Sequence, residues 1–265
     1  MCARYTLTAE EKELLKENNY KLIGDYNPDS NVAITDFGFI VTSDEPTLVQ
    51  KMHFGIVPHD ADSKSLRYDT WNIRSEEVMD KKTYAPLMKN RKTCLIIMDG
   101  FYEWHEEDNK EKQPWRFVVP GRKTFCCAGL WSRWVDPITG EDYDSFGIMT
   151  CKANETVGEI HEKKRMPVIL DKADEHTWLN KKLSIDELLS LCVPYSDKKM
   201  HRYKVSKKVN KVSTKKIWNK GIELTLPLNT DEELKESMNT KQVKPRKPKD
   251  EKKLPPESNQ GNLFG

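Results

Sequence analysis

The feature that most constrains this chain is a succession of short apolar runs, broken by polar turns, with few helical stretches among them. Val32–Ile34, Phe39–Val41, Phe54–Val57, Cys94–Met98, Trp115–Val119, Phe125–Trp131 and Phe146–Cys151 all read as strands. Pro120-Gly121 and the stretch Asp136–Gly140 read as hairpin turns. Helix signals are fewer. Thr8 and Glu11 have capping-box spacing ahead of Leu14 and Leu15, which predicts a helix over Ala9–Asn18. Lys172–Leu179 predicts a second, and Ser184 with Glu187 ahead of Leu188, Leu189 and Leu191 a third. Strands that follow one another without helices between them do not make βαβ units. The expected fold is therefore α+β, mostly antiparallel and strand-rich, with a few peripheral helices.

Composition sets the domain plan. With 265 residues, 37% hydrophobic and 32% charged, a core is affordable beside a solvated segment. Beyond Thr230 the chain is Lys, Glu, Pro, Ser and Asn with almost no apolar residues until Leu263 and Phe264. The expectation is one domain over residues 1–228 and a flexible charged tail over 229–265. From Lys198 to Lys220 basic residues alternate with Val205, Val209, Val212, Ile217 and Trp218, and no acid follows Lys198 there, so a folded basic face is expected. No apolar run approaches the ~20 residues of a membrane span, and the start lacks a signal-peptide pattern. Six cysteines without a C-x-x-C pair point to a reduced protein with a cytoplasmic location. No metal-ligand spacing or nucleotide-binding loop stands out, so no cofactor is expected.

The chemistry begins at Cys2. Methionine aminopeptidases remove Met1 when the next side chain is small, and cysteine qualifies. The chain would then start with an α-amine and a thiol on adjacent carbons, with ordinary pKa values of about 7.7–8.0 and about 8.5. Such an amine forms an imine with an aldehyde, and the thiol closes onto the imine carbon to give a thiazolidine. Elsewhere, Asn72, Arg74 and Glu76 sit close together in Trp71-Asn72-Ile73-Arg74-Ser75-Glu76. Glu103 lies between Tyr102 and Trp104 at the end of a strongly apolar run, and His161 precedes Arg165-Met166-Pro167-Val168. Taken singly, each has a structural explanation.

Together they resemble one family. Met1-Cys2-Ala3-Arg4, Phe54–Pro58, Asn72–Glu76, Cys94–Trp104, Ala128–Trp131 and His161–Val168 stand in the order of the SRAP family, the SOS-response-associated peptidase or abasic-site-processing proteins. Val205–Val209 resembles that family's closing segment. The resemblance implies a barrel-like SRAP fold and a sensor of abasic sites in single-stranded DNA, crosslinked to the lesion through Cys2 as part of the DNA damage (SOS) response. It implies catalytic roles for Cys2, Asn72, Glu103 and His161. Asn72 would hold the N-terminal residue or the sugar, and Glu103 and His161 would move protons. It also implies DNA contacts by Arg4, Arg74, Lys82, Thr150 and Arg165, with Trp71 and Trp104 stacking on or wedging between bases. The expected form is a monomer near the nucleoid. The rivals are an N-terminal-cysteine thiol peptidase, self-processing included, and a non-covalent single-stranded-DNA module. Departures from the family pattern are Ala3 for glycine, Ile73 for a small residue, the missing proline after Asn31-Val32-Ala33, and Lys82 for arginine.

One further motif lies at the far end. Gln260-Gly261-Asn262-Leu263-Phe264 resembles the Gln-x-x-Leu-Phe peptide with which bacterial proteins dock on the sliding clamp, so Gln260, Leu263 and Phe264 are expected clamp contacts.

Overall fold

The computed structural model describes residues 2–16, 19–65, 69–108, 110–212 and 219–229. The strands, in chain order, are β1 (Arg4–Leu7), β2 (Lys21–Leu22), β3 (Asp29–Ala33), β4 (Phe37–Thr42), β5 (Leu48–Phe54), β6 (Asn72–Arg74), β7 (Thr93–Met98), β8 (Gly100–Glu106), β9 (Lys112–Val118), β10 (Phe125–Val135), β11 (Asp142–Lys152), β12 (Arg165–Pro167) and β13 (His201–Lys204). The helices are short: α1 (Glu11–Lys16), α2 (Ala85–Lys89), α3 (Glu155–Gly158), α4 (Asp174–Trp178) and α5 (Ile185–Leu189). The fold is α+β and mostly antiparallel, as the run pattern predicts.

Strands β5, β4, β7, β10 and β11 pair in that order, and a parallel contact of β11 with β5 (Ser145↔His53, Phe146↔Phe54) closes them into a five-stranded barrel. A second sheet runs β13-β9-β8-β1-β3. Buried residues of both belong to one core: Tyr5 of the sheet meets Phe54 of the barrel edge-on at 5.8 Å, and Phe54 stacks on Phe146 at 5.1 Å. The chain crosses from barrel to sheet between β7 and β8, at Asp99. There Asp99 accepts from the hydroxyls of Thr6 and Thr8 and the amides of Thr8 and Ala9, and pairs with Arg116 of β9 at 2.9 Å. A carboxylate with five donors in a buried setting fixes the N-terminal strand firmly. Gly100 follows because a Cβ there would lie 2.8 Å from Arg116 Nε.

The structure corrects several details. The Phe54–Val57 run is only the end of β5, and the chain turns away at Gly55 with φ of 117°. The Pro120-Gly121 turn joins β9 to β10, which belong to different sheets, so it is not a hairpin; Asp136–Gly140 is one, between β10 and β11. Thr8 is bound to Asp99 rather than capping a helix, and α1 starts two residues later than expected, with Glu13 accepting from the Glu10 amide. The capping box of Ser184 and Glu187 is present and opens α5. The Lys198–Lys220 segment is less free than its charge implies. Lys199 pairs with Asp171, Arg202 with Glu159, Lys207 with Glu107 and Glu111, and Lys220 with Asp29 and Asp36. Its acids come from other parts of the chain, where composition of the segment alone does not reveal them. The described residues up to Leu228 form one compact unit. The expected tail and its terminal motif, Gln260, Leu263 and Phe264 included, lie outside the described residues apart from Asn229. Among the described residues no helix is long and apolar enough to cross a membrane.

Candidate functional site

The four expected catalytic residues converge from different parts of the fold. Cys2 immediately precedes β1. Because Tyr5 pairs with Phe101 across β1 and β8, continuing the register places Ala3 opposite Glu103. Alternation along β8 points Phe101 and Glu103 toward the main core, while Tyr102 and Trp104 pack in a smaller cluster with Val205, Val209 and Leu224. Asn72 opens β6, which lies parallel to β11. His161 sits in the turn between α3 and β12.

Their contacts are specific. Asn72 Nδ2 donates to the Cys2 carbonyl at 2.9 Å, and the Cys2 thiol donates to the Arg4 carbonyl at 3.6 Å. His161 Nε2 lies 3.6 Å from Glu103 Oε2. The other ring nitrogen, Nδ1, faces both the Arg165 carbonyl at 2.9 Å and the Arg165 amide at 3.2 Å. Either neutral tautomer is therefore held in the same ring orientation. Asn72 Oδ1 is buried and has no partner among the described residues, which leaves a hydrogen-bond acceptor beside Cys2 for an incoming donor.

Burial sets the protonation states. Cys2 is 1% exposed and Glu103 likewise 1%. Desolvation pushes the Glu103 carboxyl up to about 7 and pulls the His161 imidazole down to about 4. Desolvation, followed by the charge of Glu103, drives the Cys2 thiol far above its ordinary value. Near neutral pH the site thus holds a neutral imidazole, a carboxyl that is half protonated and a protonated thiol. Two titratable groups whose environments move their pKa values in opposite directions are chemically able to serve as an acid–base pair.

Two cavities flank this cluster. One of about 610 Å³ has Ala3, Arg4, Glu103, Trp104, His161 and Asn210 in its lining, together with the charged Lys112, Glu162 and Lys163. The other, of about 480 Å³, includes Thr70, Asn72, Arg74 and Tyr84 in its wall. Among the described residues no cluster of three or more His, Cys, Asp or Glu could hold a metal ion.

The expected DNA contacts are distributed unevenly. Arg74 is exposed and pairs with Glu77 at 2.6 Å, and Lys82 is exposed. Arg165 forks onto Glu76 and bonds Thr150, whose hydroxyl donates to the Ile73 carbonyl at 3.2 Å. Thr150 thus works within the fold, tying β11 to β6. Trp71 is half-buried and packs against the core, whereas Trp104 is half-buried at the edge of the first cavity. Arg4 departs most from expectation. Its guanidinium donates to the carbonyls of Val209, Asn210 and Lys211, so it binds backbone. Asn31, likewise, donates to the carbonyls of Lys211 and Asn219. Sequence reasoning missed Asn210, although it directly follows the closing segment Val205–Val209.

An α+β barrel with a cysteine next to the N-terminus, set beside a buried acid–base pair and an anchoring amide, defines the class of protein. A model of the SOS response associated peptidase (SRAP) family matches residues 1–212, and the chain belongs to that family. It is similar to abasic site processing protein YoqW of Bacillus subtilis, with 35% identity over 216 residues, 79% of this chain and 94% of that protein. It is also similar to abasic site processing protein HMCES of Xenopus tropicalis, with 32% identity over 151 residues, 49% of this chain and 44% of the relative. A crystal structure of a Bacteroides thetaiotaomicron protein superposes with a TM-score of 0.78 at 24% identity, covering 86% of this chain and all of that one, which establishes the shared fold.

Proposed function

We propose that this protein processes abasic sites in single-stranded DNA, capturing them covalently through Cys2 once Met1 is removed. The observation that carries the reading is that Asn72 bonds the Cys2 carbonyl while the Glu103 carboxyl, paired with His161, acts electrostatically on Cys2. In the first step the Cys2 amine adds to the C1′ aldehyde of the ring-opened sugar. His161, neutral at this pH, accepts the proton the amine gives up and returns it to the aldehyde oxygen, which becomes the carbinolamine hydroxyl. Protonated Glu103 then donates to the hydroxyl of the carbinolamine, which leaves as water, and the Glu103 carboxylate takes back the N–H proton of the resulting iminium to leave the imine. Finally the Cys2 sulfur bonds to the imine carbon while its proton passes to the nitrogen, closing a thiazolidine. If a proton is instead lost from the sugar carbon next to the imine, the 3′ phosphate leaves by β-elimination and the strand is cut, a lyase outcome. Ring closure removes the imine and suppresses it.

The protonation state of Cys2 favours this order of events over thiol-first peptidase chemistry. A peptidase nucleophile needs the thiolate, and burial opposes it here. An imine needs only the amine. DNA recognition in this reading draws on Arg74 and Lys82 for phosphates and Trp104 for stacking, with Trp71 and Arg165 supporting the site from within the fold.

The decisive experiment is denaturing gel electrophoresis with intact-mass analysis after mixing the protein with single-stranded DNA bearing one abasic site. The expected result is a heat-stable adduct that requires both the lesion and Cys2 and is lost in Cys2→Ala. Cys2→Ser, which keeps the amine, should still form an imine that borohydride traps. No adduct from protein shown by mass to begin at Cys2 would overturn the proposal and leave peptidase or non-covalent binding. The domain over residues 1–228 is proposed to carry this activity alone. A peptide of the last residues is proposed to bind the bacterial sliding clamp, and equal affinity of a Leu263→Ala/Phe264→Ala peptide would refute that.

A further inference from the structure

Trp104 follows Glu103 on β8 and points to the opposite face of the strand, yet the two line the same cavity together with His161. An indole half-exposed at a cavity edge has rotamer freedom unless something fixes it. Here three contacts do so. Its Nε1–H donates to Asn210 Oδ1 at 2.6 Å. One side packs in the cluster of Tyr102, Val205 and Val209. The Arg4 guanidinium lies 5.8 Å from the ring centroid, within cation–π range.

Asn210 is itself held from three directions. It ends the turn Lys207–Asn210 that closes the fold. Its Nδ2 donates to the Lys112 carbonyl at 3.2 Å, and its own carbonyl accepts from Arg4 at 3.0 Å. Arg4 also bonds the carbonyls on either side, those of Val209 and Lys211. The guanidinium two residues from Cys2 is thus committed to the closing turn, and the turn in turn commits one side-chain oxygen to the indole.

We propose that Asn210 is a positioning residue for this site: by holding the Trp104 indole against the cavity edge, it sets the surface on which the nucleobase beside the lesion stacks. The proposal rests on the abasic-site reading above for the identity of the ligand. A solvent-facing indole N–H would be satisfied by water, so the bond to Asn210 adds little to folding. Base–aromatic stacking strengthens binding about fivefold or more per base, and it depends on the ring being in place before the strand arrives. Fixing the ring therefore matters more for binding than for stability.

The test is a double-mutant cycle in the full chain, with Asn210→Ala, Trp104→Phe and the pair. Affinity would be read with single-stranded DNA carrying an unreactive tetrahydrofuran abasic analogue, and reaction with the natural lesion. The Asn210→Ala change should weaken binding about fivefold or more. It should raise the half-saturating DNA concentration more than it lowers the maximal adduct rate. Trp104→Phe keeps a ring but removes the N–H, breaking the same bond from the other side without disturbing the closing turn. In that background Asn210→Ala should cost nothing further. Full additivity, or wild-type affinity in Asn210→Ala, would overturn the assignment, because either means Asn210 does not act through Trp104. Absence of any adduct from the wild-type protein would instead fail the abasic-site reading, while the cycle on the unreactive strand still reports on Asn210.

Discussion

His161 Nε2 and Glu103 Oε2 stand 3.6 Å apart in a pocket where both side chains are under one-tenth exposed. Burial shifts them in opposite directions, the carboxyl up to about 7 and the imidazole down to about 4. The two therefore affect stability with opposite sign. Glu103, raised above its ordinary value, contributes fully at low pH and loses that contribution as pH rises through about 7. His161, depressed, contributes above the ordinary imidazole range and loses it as pH falls toward about 4. Glu103→Gln removes the first effect, so wild type should lose stability relative to this variant between pH 5 and 8 in urea titrations. The adduct rate should fall above pH about 7 as the proton donor is lost. Glu103→Gln should react about a hundredfold more slowly and without that fall; an unchanged pH profile would remove Glu103 from the chemistry.

Asn72 offers a second handle. Its amide is the hydrogen-bond donor to the Cys2 carbonyl at 2.9 Å, and on the proposed reading it aligns the amine that removal of Met1 frees. Asn72→Ala leaves that carbonyl without this donor, a loss of about 1–3 kcal/mol, or roughly 5- to 150-fold in the rate of reaction if the amine must be aligned. Single-turnover gels at saturating DNA would measure it. Wild-type speed in this variant means that Asn72 is not holding the nucleophile.

The Asp99 hub supports a prediction about the fold. Its carboxylate binds Thr6, Thr8 and Ala9 on the N-terminal segment and Arg116 on β9. Asp99→Ala leaves a guanidinium buried without its partner, which costs about 3–5 kcal/mol. It also loosens the strand that carries Cys2. Chemical denaturation should show the loss, and limited proteolysis should reveal cleavage before Glu10 at protease levels that wild type resists. A change under about 1 kcal/mol would show that the backbone pairing of β1 suffices.

These features were unequally legible in the sequence. The acid Glu103, set between Tyr102 and Trp104 at the end of an apolar run, and the capping box at Ser184 that marks α5 are legible because both signals are local. Strands of three residues such as β6 and β12 carry no periodicity, so the local patterns around Asn72 and His161 are weak signals, and resemblance to a family is what assigns them roles. The carbonyl partners of Arg4 are not legible locally, because they lie 205 residues and more away along the chain. The parallel β5–β11 contact that closes the barrel is equally nonlocal. Cations were over-read for the same reason: lysines of the closing segment look free until the acids opposite them are placed.

That last point leads to a prediction about DNA binding. Arg74 is nearly half exposed yet already paired with Glu77 at 2.6 Å. A phosphate must compete with that carboxylate, so the free protein holds this cation in reserve at a modest cost, as exposed pairs are weak. Glu77→Gln should strengthen binding to single-stranded DNA at low salt, because the guanidinium no longer has to change partners. Arg74→Ala should weaken it and reduce the slope of log affinity against log salt by about 0.7, the value for one phosphate contact on a single strand. Fluorescence anisotropy across a salt series gives both numbers. An unchanged slope in Arg74→Ala places the strand elsewhere, and a weaker Glu77→Gln protein makes the pair a structural one.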